Sequence, residues 1–376
     1  MKLVNWGYFF IALLFFIFSF GFVDPNLHLS THPVYVAFLR PLMVFVYKQS
    51  LGAAILYVGI IISLFVLYAR ALYLLHIKHR FGVSLGLMLA ALFFFLSYPA
   101  LSYDIYNYIL TAKVAFFYQE NPYVVMPIEF IGEPMLAFTR AANKLALYGP
   151  VWIAATYIPY LIAANNIAIA IVAFKLLSVG GYIGIVYLIY KKTRRLDQVV
   201  FFALNPLVII EIFISGHNDA FMMFLALYGV LLMQKRYGLE YVSGLVLLLA
   251  SVLVKGATIV IVPLMVLLRR YSFEYQMKWI AVSLFGVFLL SPLREEMYPW
   301  YAVWWLATLA FVPIQKSSFA HGASFWLSFG LMARYVPWIA TREYGGSGPM
   351  IRSLVTLIPV LVYIVVFVFL QRKKKK

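Results

Sequence analysis

Cysteine is absent from the chain, which excludes disulfides, thiolate metal sites and a cysteine nucleophile. Charge is scarce as well: Asp, Glu, Lys and Arg make up 11% of the 376 residues, against about 25% in ordinary soluble domains. No internal repeat at a fixed period is evident, no Asp-x-Asp pair occurs, and the only low-complexity segment is the terminal lysine run. What is abundant is apolar. The residues AVILMFWYC account for 65% of the chain. A single soluble core stops growing near about 250–300 residues and still needs polar residues to cover it, so lipid is the simpler solvent for these side chains.

The formal net charge is +17, which in a soluble protein would raise the question of nucleic acid. Here the basic residues sit in short clusters between apolar runs: Lys78 and Arg80; Lys191, Lys192, Arg194 and Arg195; Lys235 and Arg236; Arg269 and Arg270; and Arg372 with the lysines at 373–376. Such clusters mark cytoplasmic loops, held there by anionic headgroups, and no nucleic-acid partner is expected. Lys2 followed by an apolar run resembles a signal peptide, but no small-x-small cleavage site precedes Asp24, so the run reads as a retained first span.

Apolar stretches that cross or nearly cross a bilayer cover residues 4–22, 51–75, 83–101, 151–164, 167–190, 199–214, 221–233, 241–254, 257–268, 279–290, 301–312, 325–339 and 354–370. The expected fold is therefore all-α: a polytopic transmembrane helix bundle of roughly 11–13 spans, forming a single domain over residues 1–376. Several stretches are short, which points to tilted, broken or re-entrant helices. The positive-inside rule puts the amino terminus, residues 76–80 and the tail in the cytoplasm, so residues 24–50 and 102–150 face outward. If 151–164 and 167–190 both crossed, the basic loop at Lys191 would fall outside; either one of them is re-entrant or 199–233 does not cross twice. Residues 102–150 form the longest stretch without a span and hold Asp104, Glu120, Glu129 and Glu133. Their aromatic-rich first part, 105–118, is expected as an amphipathic helix lying at the interface, broken by Asn121-Pro122.

Asp104 follows a hydrophobic span in the run Ser102-Tyr103-Asp104-Ile105-Tyr106. A carboxylate at the rim of a membrane cavity can take the proton of an acceptor hydroxyl as that oxygen attacks an anomeric carbon; a helix N-cap is the plain alternative. Ser215-Gly216-His217-Asn218-Asp219 places polar residues between two apolar runs, after Asn205-Pro206 and Glu211. A charge at mid-membrane costs roughly 2.5–3.5 kcal/mol, so this cluster either lines a polar cavity or forms an interfacial turn with an Asn-Asp cap. One His beside an Asp is too little for a metal site. Lys255 lies between long apolar stretches, where it either meets a lipid phosphate or snorkels to water beside Gly256. Tyr148-Gly149-Pro150 reads by itself as a helix start. Tyr298-Pro299-Trp300-Tyr301 with Trp304-Trp305 is an aromatic belt whose rings either anchor the chain or stack on sugar.

Taken together, Asp104, Asn121-Pro122-Tyr123, Tyr148-Gly149-Pro150, Asn205-Pro206-Leu207, Gly216-His217-Asn218-Asp219, Leu253-Val254-Lys255 and Pro299-Trp300-Tyr301 with Trp304 occur in an order that resembles the polyprenol-phosphate-mannose-dependent mannosyltransferases of the glycosyltransferase-C superfamily. The resemblance covers residues 104–305. It implies many transmembrane helices, with an extracytoplasmic loop carrying interfacial helices. It also implies a membrane glycosyltransferase that moves mannose or another hexose from a polyprenyl-phosphate-linked sugar donor to a glycan or glycolipid acceptor. On that resemblance Asp104 is the general base. Lys255, by motif, and Arg140, by location, neutralise the donor phosphate. His217, Asn218 and Asp219 line the sugar pocket, with Tyr148, Trp300 and Tyr301 as further sugar-binding candidates. No cofactor is implied, and the missing Asp-x-Asp counts against a metal. The rival reading is a secondary transporter or lipid-linked sugar flippase, since polar residues within membranes also mark substrate pathways. Against it stand the lack of an inverted repeat and the gathering of polar groups on the outward side.

Overall fold

A computed structural model of the chain describes residues 2–27, 29–78, 82–235, 237–293, 296–316, 318–343 and 348–373. Of the basic clusters, the side chain of Lys78 and residues 79, 80, 236 and 374–376 lie outside the described residues. Among the described residues there is no strand. The apolar runs fold as α1 (Lys2–Phe20), α2 (Pro33–Lys48), α3 (Ser50–Lys78) and α4 (Leu85–Leu96), followed by α5 (Asp104–Phe116). Two short 3-10 turns, Pro127–Glu129 and Pro134–Phe138, lead to α6 (Pro150–Ala155), α7 (Tyr157–Ala163) and α8 (Ile167–Thr193). Next come α9 (Leu196–Ala203), α10 (Pro206–Ile209) running into a π-helical turn Ile210–Ile214, α11 (Asp219–Leu232), α12 (Gly238–Val252) and α13 (Ile261–Leu267). The chain ends in α14 (Phe273–Leu290), α15 (Ala302–Leu309), α16 (Ser318–Ala333), α17 (Tyr335–Thr341) and α18 (Gly348–Lys373). One continuous apolar core runs from Val4 on α1 to Ile339 on α17.

Among the described residues, α1, α3, α8, α14 and α18 are each long and apolar enough to cross a membrane, and α9 with α10 and its π turn makes a sixth if the pair, bent by 53°, is one span. Other apolar runs form shorter helices, such as Leu85–Leu96 and Pro150–Ala163. The 12 residues of α4 rise only about 18 Å against a hydrocarbon core of about 30 Å. The chain is thus an all-helical, multi-pass bundle, in which part of the apolar sequence forms broken helices packed among full spans. α6 and α7 are short, and α7 packs on α8.

Residues 24–50, read from sequence as facing outward, contain α2, on which Val46 is the one buried residue. One region differs from the sequence reading. Residues 105–118 form a helix, as expected, but α5 does not lie amphipathically at the interface: ten of its residues, from Ile105 to Val114, are buried. Its polar groups have found partners inside the protein. Tyr106 donates its hydroxyl to Tyr98 at 2.7 Å, and Lys113 Nζ lies 2.6 Å from Glu133, which also accepts from Tyr118 at 2.7 Å. A polar face satisfied internally no longer needs water, and the helix sinks into the bundle.

The end of α4 is buried too, and its exposed carbonyls need donors. Lys175 of α8 provides them, donating to the carbonyls of Phe95 and of Ser97, the latter at 2.8 Å. Its stem also backs Gly216, and Ser178 one turn later donates to the Gly216 carbonyl at 2.8 Å. One face of α8 therefore fixes both the turn before α5 and the turn before α11, which carry the polar residues singled out in the sequence.

Candidate active site

Asp104 is the first residue of α5, yet its carboxylate does not cap the helix. Its backbone N–H donates to Ser102 Oγ at 3.2 Å; of its own oxygens, Oδ1 accepts from Asn107 Nδ2 one turn along the helix at 3.5 Å, and Oδ2 leaves the helix to lie 3.5 Å from His217 Nδ1. The side chain keeps 23% exposure. The plain N-cap alternative is not what forms.

His217 arrives through an irregular stretch. Asn205 caps α10, accepting from the Leu207 N–H at 3.0 Å, and the π turn then inserts the extra residue that such bulges carry, often at functional sites. Gly216 reverses the chain at a φ of +74°, which glycine adopts without strain. The result is a turn whose Ser215, His217, Asn218 and Asp219 are fully buried, so the interfacial turn weighed in the sequence is not realised. Nor does Asn218 cap α11 with its side chain. His217 Nε2 lies 3.3 Å from Glu211 Oε2, and its ring stacks on Trp300 at 4.0 Å and 18°. Trp300 in turn stacks on Tyr298 at 4.4 Å. Asp219 Oδ1 accepts from Lys255 Nζ at 3.0 Å and from Trp304 Nε1. Lys255 does not snorkel: it is 18% exposed, its ammonium directed at Asp219 and lying 4.5 Å from the centre of the Tyr301 ring.

Two motifs meet through their backbones. The Gly149 N–H donates to the Val254 carbonyl at 3.0 Å and the Val151 N–H to Leu253 at 3.1 Å, so Tyr148-Gly149-Pro150 is docked on Leu253-Val254-Lys255. A Cβ on Gly149 would stand 2.0 Å from the Leu253 oxygen. Gly149→Ala is therefore expected to destabilise the protein by about 1–3 kcal/mol and to shift Lys255; a lowered thermal transition in detergent together with reduced turnover checks this. Tyr148 packs its ring 4.7 Å from that of Tyr108, whose hydroxyl accepts from the Asn218 N–H at 3.4 Å. Arg140 is exposed and takes no part in the contacts named above, its guanidinium lying 4.6 Å from the ring centre of Tyr103, next to Asp104 in the chain.

The electrostatics follow from these contacts at residues 104 and 217, which lie outside the full spans. Burial by itself would raise the Asp104 carboxyl, but His217, then Lys255 and Asn107, outweigh it and hold the group below the usual carboxylate range. Burial pushes His217 the other way, and the two carboxylates Asp104 and Glu211 overcome it, raising the imidazole to about 9. At neutral pH the pair is carboxylate and imidazolium. In and around it lie buried polar atoms that make no hydrogen bond among the described residues: both ring nitrogens of His217, Glu211 Oε2, Ser215 Oγ, both amide atoms of Asn218 and Asp219 Oδ2. Native interiors leave few such groups, and a row of them marks a place that water or a ligand completes. Beside Asn107 and Tyr148 is a cavity of about 10 Å³, room for roughly one water.

Of the residues proposed from sequence, Asp104, His217, Asn218, Asp219, Lys255, Tyr148, Trp300 and Tyr301 thus come together, whereas Arg140 stacks on the neighbouring Tyr103. Sequence reasoning assigned no role to Glu211, Asn107, Tyr108 or Tyr335. Glu211 had a signal, as the lone charge in the apolar stretch 199–214; Tyr335, whose hydroxyl donates to Glu211 Oε1 at 2.9 Å, had none. Among the described residues no group of three or more His, Asp or Glu side chains is placed to hold a metal ion.

The multi-pass helical bundle gathers a carboxylate, an imidazole and a lysine beside aromatic rings, and its family match places it with the membrane glycosyltransferases. The family model described as alpha-(1->6)-mannopyranosyltransferase, N-terminal domain, matches residues 13–270, more than half of the chain, and the chain belongs to that family, which is of the glycosyltransferase-C type. The matched region carries every site residue up to Lys255; Trp300, Tyr301, Trp304 and Tyr335 lie beyond it. No match was found among curated proteins or among solved structures.

Proposed function

We propose that this protein transfers a mannosyl, or another hexosyl, residue from a polyprenyl-phosphate-linked donor to a hydroxyl of a glycan or glycolipid acceptor, on the extracytoplasmic side of the membrane. The observation that carries this reading is the meeting of Asp104–His217 and Asp219–Lys255 at one place lined by unsatisfied polar atoms. Asp104 takes the acceptor proton as the acceptor oxygen bonds to the anomeric carbon. The bond from that carbon to the phosphate oxygen breaks in the same displacement, and its electron pair leaves with the lipid phosphate. Lys255 and Arg140 offset the charge that grows there. His217, Asn218, Asp219, Tyr148, Trp300 and Tyr301 form the sugar side, with the side-chain amide of Asn218, which makes no hydrogen bond among the described residues, as the group best suited to sugar hydroxyls. The basic clusters and the tail support a cytoplasmic placement of the opposite end.

Incubating membranes that contain the protein with radiolabelled polyprenyl-phosphate mannose and a glycolipid acceptor tests the reading. Label transferred to the acceptor, and absent with Asp104→Asn, is expected; transfer from a nucleotide sugar but not from the lipid phosphate would overturn it. No divalent metal is needed in this scheme, because the carboxylates of Asp104 and Asp219 already face cationic side chains. Turnover is therefore expected to be unchanged in EDTA, and a loss that Mg²⁺ or Mn²⁺ restores would refute the metal-free scheme.

A further inference from the structure

We propose that Glu211 is a positioning residue for the transfer, acting on Asp104 through His217. The imidazole stands between two carboxylates, with Nε2 at 3.3 Å from Glu211 Oε2 and Nδ1 at 3.5 Å from Asp104 Oδ2. A neutral imidazole has one N–H and one lone pair. It would have to aim that lone pair at one of the two carboxylates, a repulsive contact; only the doubly protonated ring suits both. Glu211 is fully buried and the Tyr335 hydroxyl occupies its Oε1, while Oε2, which makes no hydrogen bond among the described residues, meets the ring as a charge contact at 3.3 Å. The charged ring lies flat on Trp300, where a cation is attracted to the aromatic face. A carboxylate that touches neither donor nor acceptor thus keeps the ring charged. The ring in turn holds Oδ2 of an ionised Asp104 and ties α5 to the segment 298–301, leaving Oδ1, beside Asn107, for the acceptor hydroxyl.

The charged and titratable groups around this pair come from several elements. Asp104 of α5 and Glu211 of the π turn face the ring. Tyr335 of α17 donates to Glu211, Tyr57 of α3 feels the charge of Glu211, and Lys255, Tyr108 and Tyr148 interact electrostatically with Asp104. His217 has its folded-state proton affinity raised, so its charge is present at low pH and is lost as pH rises through about 9. Activity should therefore fall along an alkaline limb near that value.

This inference rests on Asp104 as the base, but its central statement, the charge on His217, is readable without turnover. Glu211→Gln removes one carboxylate and should move the alkaline limb of kcat to lower pH by about 1–3 units, with donor KM unchanged. Glu211→Asp, which keeps the charge, should hold the limb near its original place. An unmoved limb in Glu211→Gln overturns the proposal. Titration of the ¹⁵N-histidine-labelled wild-type protein decides the matter whether or not the variants accumulate. One of the six imidazoles staying doubly protonated at pH 8 is expected, and six neutral rings at that pH overturn the proposal. Failure of Asp104 as the base would appear instead as full turnover in Asp104→Asn, so the two failures are distinct.

Discussion

Asp104→Asn is expected to lower turnover by about 10²- to 10⁴-fold, the usual contribution of a positioned acid-base group, with the protein still present in the membrane. The substitution keeps the shape of the side chain and its acceptor toward Asn107, and it removes only the charge and the ability to take a proton. An ionised carboxylate held below its usual range is a weak base toward a resting hydroxyl. The acidity of that hydroxyl rises sharply as its oxygen bonds to the anomeric carbon, so proton transfer comes late, and an acid that is always ionised at working pH is then well suited. Donor KM should change little, because the leaving phosphate is assigned to Lys255 and Arg140. Initial rates over a donor titration, normalised to protein in the membrane, provide the check. Wild-type turnover in this variant would remove Asp104 from the chemistry.

The class of fold was legible because its cause is compositional: runs of apolar residues without charge have one solvent that suits them. The length of individual helices was not, because a run such as 83–101 carries no mark of where Ser97 will be met by Lys175 from a helix about eighty residues later. The same limit explains α5. Its Tyr and Asn residues read as interfacial, and only the tertiary partners Tyr98, Glu133 and Asn218 show that its polar face is satisfied within the protein. In the candidate site the motifs were visible one by one, and their meeting was implied by their order. What pairs with what depended on contacts across long separations, such as Trp304 with Asp219 and Tyr335 with Glu211. Gly149 shows the difference well. Its motif reads as a helix start, and α6 does begin there, but the reason for glycine is the backbone of Leu253 lying where a side chain would be.

Lys255 and Asp219 supply the second large effect, because charge removal there acts on stability and on chemistry in separable ways. Asp219 is fully buried, and Lys255→Met would leave its carboxylate with Trp304 as its remaining side-chain donor among the described residues; breaking a buried pair from one side destabilises by about 3–5 kcal/mol. Asp219→Asn should cost less, since the Lys255 ammonium keeps some contact with water and the faces of Tyr301 and Trp304. In the double variant Lys255→Met/Asp219→Asn no buried charge is stranded, so most of the stability should return, as a thermal transition in detergent would show. Turnover should not return with it. The leaving phosphate would still lack its nearby cation, and donor KM should remain raised while kcat stays low. Recovery of turnover in parallel with stability would mean that Lys255 serves only to neutralise Asp219, and the departing charge would then have to be met by Arg140.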